Sequence, residues 1–104
     1  MPRRADPPAG QRPPYQLVLA PGARRALSQA LPGTVAFAAW EFISGPLLER
    51  PMIVGVPLRK PFEGLWRARR GEYRVRYRID EEAHKVVVLQ ISHRRAVPRV
   101  TRAG

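Results

Sequence analysis

Residues 65–79, LWRARRGEYRVRYRI, decide how this chain is read. From Tyr73 the alternation is strict. Tyr73, Val75, Tyr77 and Ile79 point one way and Arg74, Arg76 and Arg78 the other. Gly71-Glu72 fits a two-residue hairpin turn of the II′ type, because glycine in first position accepts a positive φ. That turn pairs Arg70 with Tyr73, Arg69 with Arg74, Ala68 with Val75, Arg67 with Arg76 and Trp66 with Tyr77. Trp66, Ala68, Val75 and Tyr77 then share an apolar face. Arg67, Arg69, Arg74 and Arg76 form two facing pairs on the other. Like charges directly opposite each other destabilise a sheet, so this face calls for a polyanion, either phosphates or an acidic protein.

Upstream, 57–60 (PLRK) place the basic pair Arg59 and Lys60 just before the hairpin. Leu47–Phe62, with three prolines and one glycine, reads as a loop returning to the sheet. The apolar set Val35, Ala38, Ala39, Phe42 and Ile43 predicts a helix ending near Ser44, N-capped by Thr34. Trp40 is assigned to the core or to a helix–sheet contact. Ala23, Ala26, Leu27, Ala30 and Leu31 mark one face of an earlier helix. Pro32-Gly33 links the two helices as an antiparallel hairpin. Tyr15–Ala20 (YQLVLA) is a first strand. Residues 1–14 hold five prolines and almost nothing to bury, and read as a disordered arm.

Downstream, Asp80–His84 (DEEAH) is an acidic turn at the far end from Gly71-Glu72, with His84 solvated. Lys85–His93 (KVVVLQISH) reads as a central strand buried on both faces. Arg94 and Arg95 follow it, and 100–104 form a tail. The order is β-α-α-β-β-β, an α+β domain over 15–99 with a helical hairpin on a small, mainly antiparallel sheet.

Composition agrees with an anionic partner. The 104 residues carry 19 basic and 8 acidic side chains, a net charge of +11. The chain has no cysteine, which excludes disulfides and thiolate metal sites. Two histidines without spaced acidic partners give no metal site, and no cofactor is expected. No stretch approaches the length of a membrane span. The N-terminus lacks the apolar core of a secretory signal, so a cytoplasmic protein is expected. Groups able to move a proton are few. His93, closing the last strand, is the best general acid or base by residue type.

The segment 64–77, GLWRARRGEYRVRY, resembles the G-L-x-R-x-R-x-G-D/E-Y-R-V-x-Y signature of the RelE/ParE superfamily, toxins of bacterial type II toxin–antitoxin systems. Residues 91–98, ISHRRAVP, are similar to its closing I-x-H-R-x-D-V-Y, and 57–59 to its P-L-R. The resemblance implies the β-α-α-β-β-β fold and an acidic antitoxin partner. RelE-like members act on the ribosome, cutting mRNA without metal and so inhibiting translation. ParE-like members inhibit DNA gyrase. A degenerate member would only bind its antitoxin. For a ribosome-dependent endoribonuclease the catalytic candidates are Arg67, Arg74, His93 and Arg94. Arg59, Lys60, Arg69, Arg76 and Arg95 are then the RNA-binding candidates. Pro98 stands where RNA-cleaving members carry tyrosine, and Ala96 where they carry aspartate.

Overall fold

The computed structural model describes residues 14–93. The arm over 1–14 (Pro14 apart), Arg94, Arg95, Pro98 and the tail at 100–104 lie outside the described residues. The chain runs through strand β1 (Gln16–Leu19) into helix α1 (Pro21–Arg25), which continues as one π-helical turn, Ala26–Ala30. Helix α2 (Gly33–Ser44) is followed by two single-turn helices, α3 (Pro46–Glu49) and α4 (Pro51–Val54). Four strands close the domain: β2 (Val56–Pro57), β3 (Trp66–Arg70), β4 (Tyr73–Asp80) and β5 (Lys85–His93). The sheet order is β1-β5-β4-β3-β2, with β1 parallel to β5 and every other pair antiparallel. The fold is α+β, with the helices on one face of the sheet.

The β3–β4 hairpin has the register that its turn chemistry dictates. Arg70 faces Tyr73, Arg69 faces Arg74, Ala68 faces Val75, Arg67 faces Arg76 and Trp66 faces Tyr77. Gly71 has φ +53°, the conformation glycine supplies without steric cost. Tyr73, Val75 and Tyr77 are buried, while Arg74, Arg76 and Arg78 are exposed.

The buried half of β4 is bolted to the helical layer through its hydroxyls. Tyr77 is fully buried and donates to the Pro51 carbonyl at 2.6 Å. Tyr73 donates to the Ala38 carbonyl at 3.2 Å. Each bond satisfies a polar group that burial would otherwise penalise by about 1–3 kcal/mol. Val75, Ala68, Val86, Val88 and Ile91 complete the sheet side of the core, against Ala39, Phe42, Ile43 and Leu47 from the helices. Gly55 lets the chain pass this point. A Cβ there would overlap the Tyr77 hydroxyl and lie 2.8 Å from the Arg67 carbonyl oxygen.

Strand β5 holds a register shift. Arg76 pairs with Gln90, but Tyr77 pairs with Val88, leaving Leu89 as an extra residue. Uninterrupted alternation from Val86 and Val88 would turn Gln90 and Ser92 into the core. The bulge turns Ile91 and His93 inward instead, and both are buried.

Several expectations are corrected. Leu47–Phe62 is not one loop: it contains most of α3, all of α4 and β2. Pro46 and Pro51 are helix-starting residues, where the missing N–H costs nothing. Helix α2 begins at Gly33 with Pro32 in the cap position, and Thr34 makes no capping bond. Trp40 is 43% exposed rather than in the core, and Ala38 is exposed beside it. In the first helix the π-turn, closed by the Leu31 amide on the Ala26 carbonyl at 3.0 Å, leaves Ala30 exposed while Leu31 is buried. Strand β5 lies second in the sheet, and its outer face is half-buried, since the helices cover only one side. His84 is not solvated. It is half-buried with its ring stacked on Tyr15 at 3.9 Å.

Two measurements check this account of the core. Gly55→Ala should lower stability in a denaturant titration by more than about 2 kcal/mol, because backbone and a buried ring must both give way. Gly33→Ala, whose Cβ would meet nothing within 4 Å, should be neutral or slightly stabilising. The second measurement concerns pH. Burial pushes the Tyr77 hydroxyl up to about 12, against the opposing charge of Arg70. The unfolded chain therefore loses this proton first. Stability is complete below pH 10 and falls as pH rises from 10 towards 12, by up to about 2–3 kcal/mol. In Tyr77→Phe that part of the alkaline loss should disappear from the stability–pH curve.

Candidate nucleic-acid interface

The face of the sheet opposite the helices carries the charge. Its central feature is the outer half of the hairpin, where Arg69 faces Arg74 and Arg67 faces Arg76. All four are exposed, as is Arg78. Neighbouring strands lie about 4.8 Å apart, and residues two apart on a strand about 6.8 Å, so the four guanidinium groups stem from a small rectangle of backbone. Among the described residues, none of these arginines has a carboxylate within ion-pairing distance. The row on β4 ends at Asp80, whose side chain accepts the Ala83 amide at 3.1 Å in the following turn.

On the β5 side the arginines have neutral polar neighbours. Arg74 sits opposite Ser92, and Arg76 opposite Gln90. Both come to this face because of the bulge at Leu89. Sequence reasoning missed them, since strict alternation alone points them at the core. It also missed Phe62, half-exposed in the loop between β2 and β3, with the Arg76 guanidinium carbon 6.0 Å from its ring centre. The available signal was an aromatic residue between a basic pair and a basic hairpin.

The predicted site residues divide. Arg67, Arg69, Arg74 and Arg76 come together on the open face. Arg59 and Lys60 are exposed in the loop that carries Phe62, and Lys60 lies 4.0 Å from Glu63. His93 does not join them. It faces Tyr73 across the strands, buried on the helix side, with Nε2 3.0 Å from the Glu72 carboxylate. The acid of the hairpin turn and the histidine at the end of β5 thus hold the two strand ends together. Arg70 also turns to the helix side, its guanidinium 4.7 Å from the centre of the Phe42 ring. Beside it a cleft of about 400 Å³ is lined by Thr34, Val35, Ala38, Glu72 and Tyr73. This hollow lies away from the arginine ranks. Among the described residues there is no grouping of three or more metal-ligating side chains. Among the described residues no helix is long and apolar enough to cross a membrane.

Chemically, this face has the charge and geometry to bind anions. Guanidinium groups without carboxylate partners are free to take phosphate or carboxylate oxygens in bidentate geometry. A family model described as the ParE toxin of type II toxin–antitoxin systems, parDE, matches residues 38–98, more than half of the chain. The chain belongs to the RelE/ParE superfamily of type II toxins. It is 46% identical over 87 residues to a toxin named RelE from Mycobacterium tuberculosis, covering 84% of this chain and 89% of that one. It is 43% identical over 86 residues to the toxin RelG of the same organism, covering 83% and 98%. The crystal structure of the RelBE2 toxin–antitoxin complex from M. tuberculosis matches with a TM-score of 0.75 at 44% identity, over 78% of this chain and 99% of that one. As a RelE/ParE toxin, the chain places the most specific part of its motif, 64–77, on the hairpin whose outer face carries the arginines.

Like-charge repulsion makes this face a cost to folding rather than a support. Arg67→Ala and Arg69→Ala each remove one like-charge pair, worth about 0.2–1 kcal/mol of repulsion. Thermal melts of both variants should show an unchanged or slightly raised Tm. Arg70→Ala, from the same strand but over the Phe42 ring, should lose about 0.5–1 kcal/mol instead.

Proposed function

We propose that this toxin is a metal-independent endoribonuclease that cuts mRNA on the ribosome and so stops translation. The observation that carries the reading is the pair of arginine ranks, held against their own repulsion on an open face with no carboxylate partner among the described residues. In the reaction, the 2′-hydroxyl of a nucleotide attacks the adjacent phosphate and gives its proton to solvent water, while the 5′ oxygen of the next nucleotide leaves and takes a proton from solvent, so that a 2′,3′-cyclic phosphate and a free 5′-hydroxyl result. Negative charge accumulates on the phosphate oxygens as the new bond forms. Arg74, flanked by Arg69 and Ser92, is the group assigned to that charge, and Arg67 with Arg76 holds the strand beside it. This is catalysis by preorganised charge and by positioning. His93 serves the reaction indirectly, by fixing the end of β5 to the hairpin turn through Glu72. Arg94 and Arg95 follow that fixed end in sequence and are assigned to the same RNA.

The same face is assigned to an antitoxin, whose contacting segment is acidic to match a net charge of +11. This agrees with the relative crystallised as a toxin–antitoxin complex. A gyrase-directed reading has one observation in its favour, the match to a family described by ParE. The open, multi-phosphate geometry of the arginine face favours RNA over it.

The test is a reconstituted translation system with mRNA 5′ ends mapped by primer extension. The wild-type chain should cut within the codon in the ribosomal A site. Arg74→Ala should reduce that cutting by about 10²-fold or more. Intact mRNA with the wild-type chain would remove the reading, and a supercoiling assay would then test gyrase. Arg74→Glu should also weaken capture of the antitoxin.

A further inference from the structure

We propose that Phe62 is a stacking platform for one unpaired base of a single-stranded RNA whose backbone lies on the arginine ranks. The inference rests on the reading of that face as RNA-binding and goes beyond it, by adding a contact to a base.

Three observations lead there. Phe62 is 50% exposed, yet it is not on the helical layer where the other exposed aromatics, Phe37 and Trp40, lie. Its ring stands 6.0 Å from the Arg76 guanidinium, so the β2–β3 loop lies against the open face on the side of the Arg67–Arg76 rank. The loop is also held in place. The Leu58 amide donates to the Leu65 carbonyl at 2.8 Å, the Phe62 amide to the Arg59 carbonyl at 2.8 Å and the Leu65 amide to the Phe62 carbonyl at 3.1 Å. Pairing of β2 with β3 anchors its two ends.

The geometry fits a nucleotide. A phosphate on Arg76 and Arg67 leaves its base a ribose away, within reach of an aromatic ring beside the same guanidinium. The two arginine ranks are about 6.8 Å apart along the strands, a spacing suited to successive phosphates of an extended single strand. Every base has a π-face, so the platform is tolerant of sequence and demands only that the base be unpaired. A duplex hides its bases in the stack and gains nothing from Phe62. The bland alternative, a ring that merely shields Arg76, leaves RNA affinity independent of the ring.

The experiment is fluorescence anisotropy of the full chain with a labelled ten-nucleotide single-stranded RNA, repeated across a range of salt concentrations. Phe62→Ala should weaken binding about 5- to 150-fold with the salt slope unchanged, since no phosphate contact is lost. Phe62→Trp should bind as tightly as wild type or tighter, and Phe62→Leu should behave like the alanine variant. Arg74→Ala, in parallel, should weaken binding and reduce the salt slope by about 0.7, the value for one phosphate contact on a single strand. Wild-type affinity in Phe62→Ala together with a weakened Arg74→Ala would overturn the platform and leave the RNA reading standing. Full recovery in Phe62→Leu would also overturn it, because apolar bulk would then suffice. Wild-type affinity in both Phe62→Ala and Arg74→Ala would remove the RNA reading and the platform with it.

Discussion

Two pairs of arginines face each other across β3 and β4, and the sheet must hold them there against their repulsion. The burial on the other side of the same two strands opposes it. Tyr73, Val75 and Tyr77 give β4 an apolar face, and the two tyrosine hydroxyls tie that face to the carbonyls of Ala38 and Pro51. A strand so anchored cannot slip by one residue without exposing two aromatic rings and burying charge. The charged face is therefore a consequence of the core. The repulsion is offset by packing, and the guanidinium groups remain available to an anionic partner.

The bulge at Leu89 couples the two faces of the sheet. It lets Ile91 complete the core and brings His93 to Glu72 on the helix side. The same shift delivers Gln90 and Ser92 to the arginine face, where they stand opposite Arg76 and Arg74. One extra residue thus determines which neighbours the arginines have. It also explains why the histidine of the motif is an internal brace.

Membership of the RelE/ParE superfamily fits this division of labour. The motif 64–77 contains residues of three kinds, all visible in the structure. Gly71 makes the turn, Tyr73, Val75 and Tyr77 make the anchor, and Arg67, Arg69 and Arg74 form the charged face. The turn acid, Glu72, has its place as the partner of His93. The short helices α3 and α4 present the Pro51 carbonyl to Tyr77, and Gly55 then lets the chain pass that hydroxyl into β2.

What the sequence by itself determined was local. The turn at Gly71, the period-two pattern of β4 and the resulting register of the hairpin follow from backbone geometry and side-chain alternation over fifteen residues. The basic face was legible for the same reason. Tertiary structure decided the rest. Leu89 is extruded only because two strands must match their apolar sets across the ladder, and neither strand alone carries that instruction. Pro46 and Pro51 start helices because neighbouring core residues, Leu47 and Leu48 among them, reward a helical turn that proline permits but does not impose. Trp40 and Phe62 are exposed, and His93 is buried, according to which layer covers which face. That depends on contacts between segments tens of residues apart, and no local pattern encodes it.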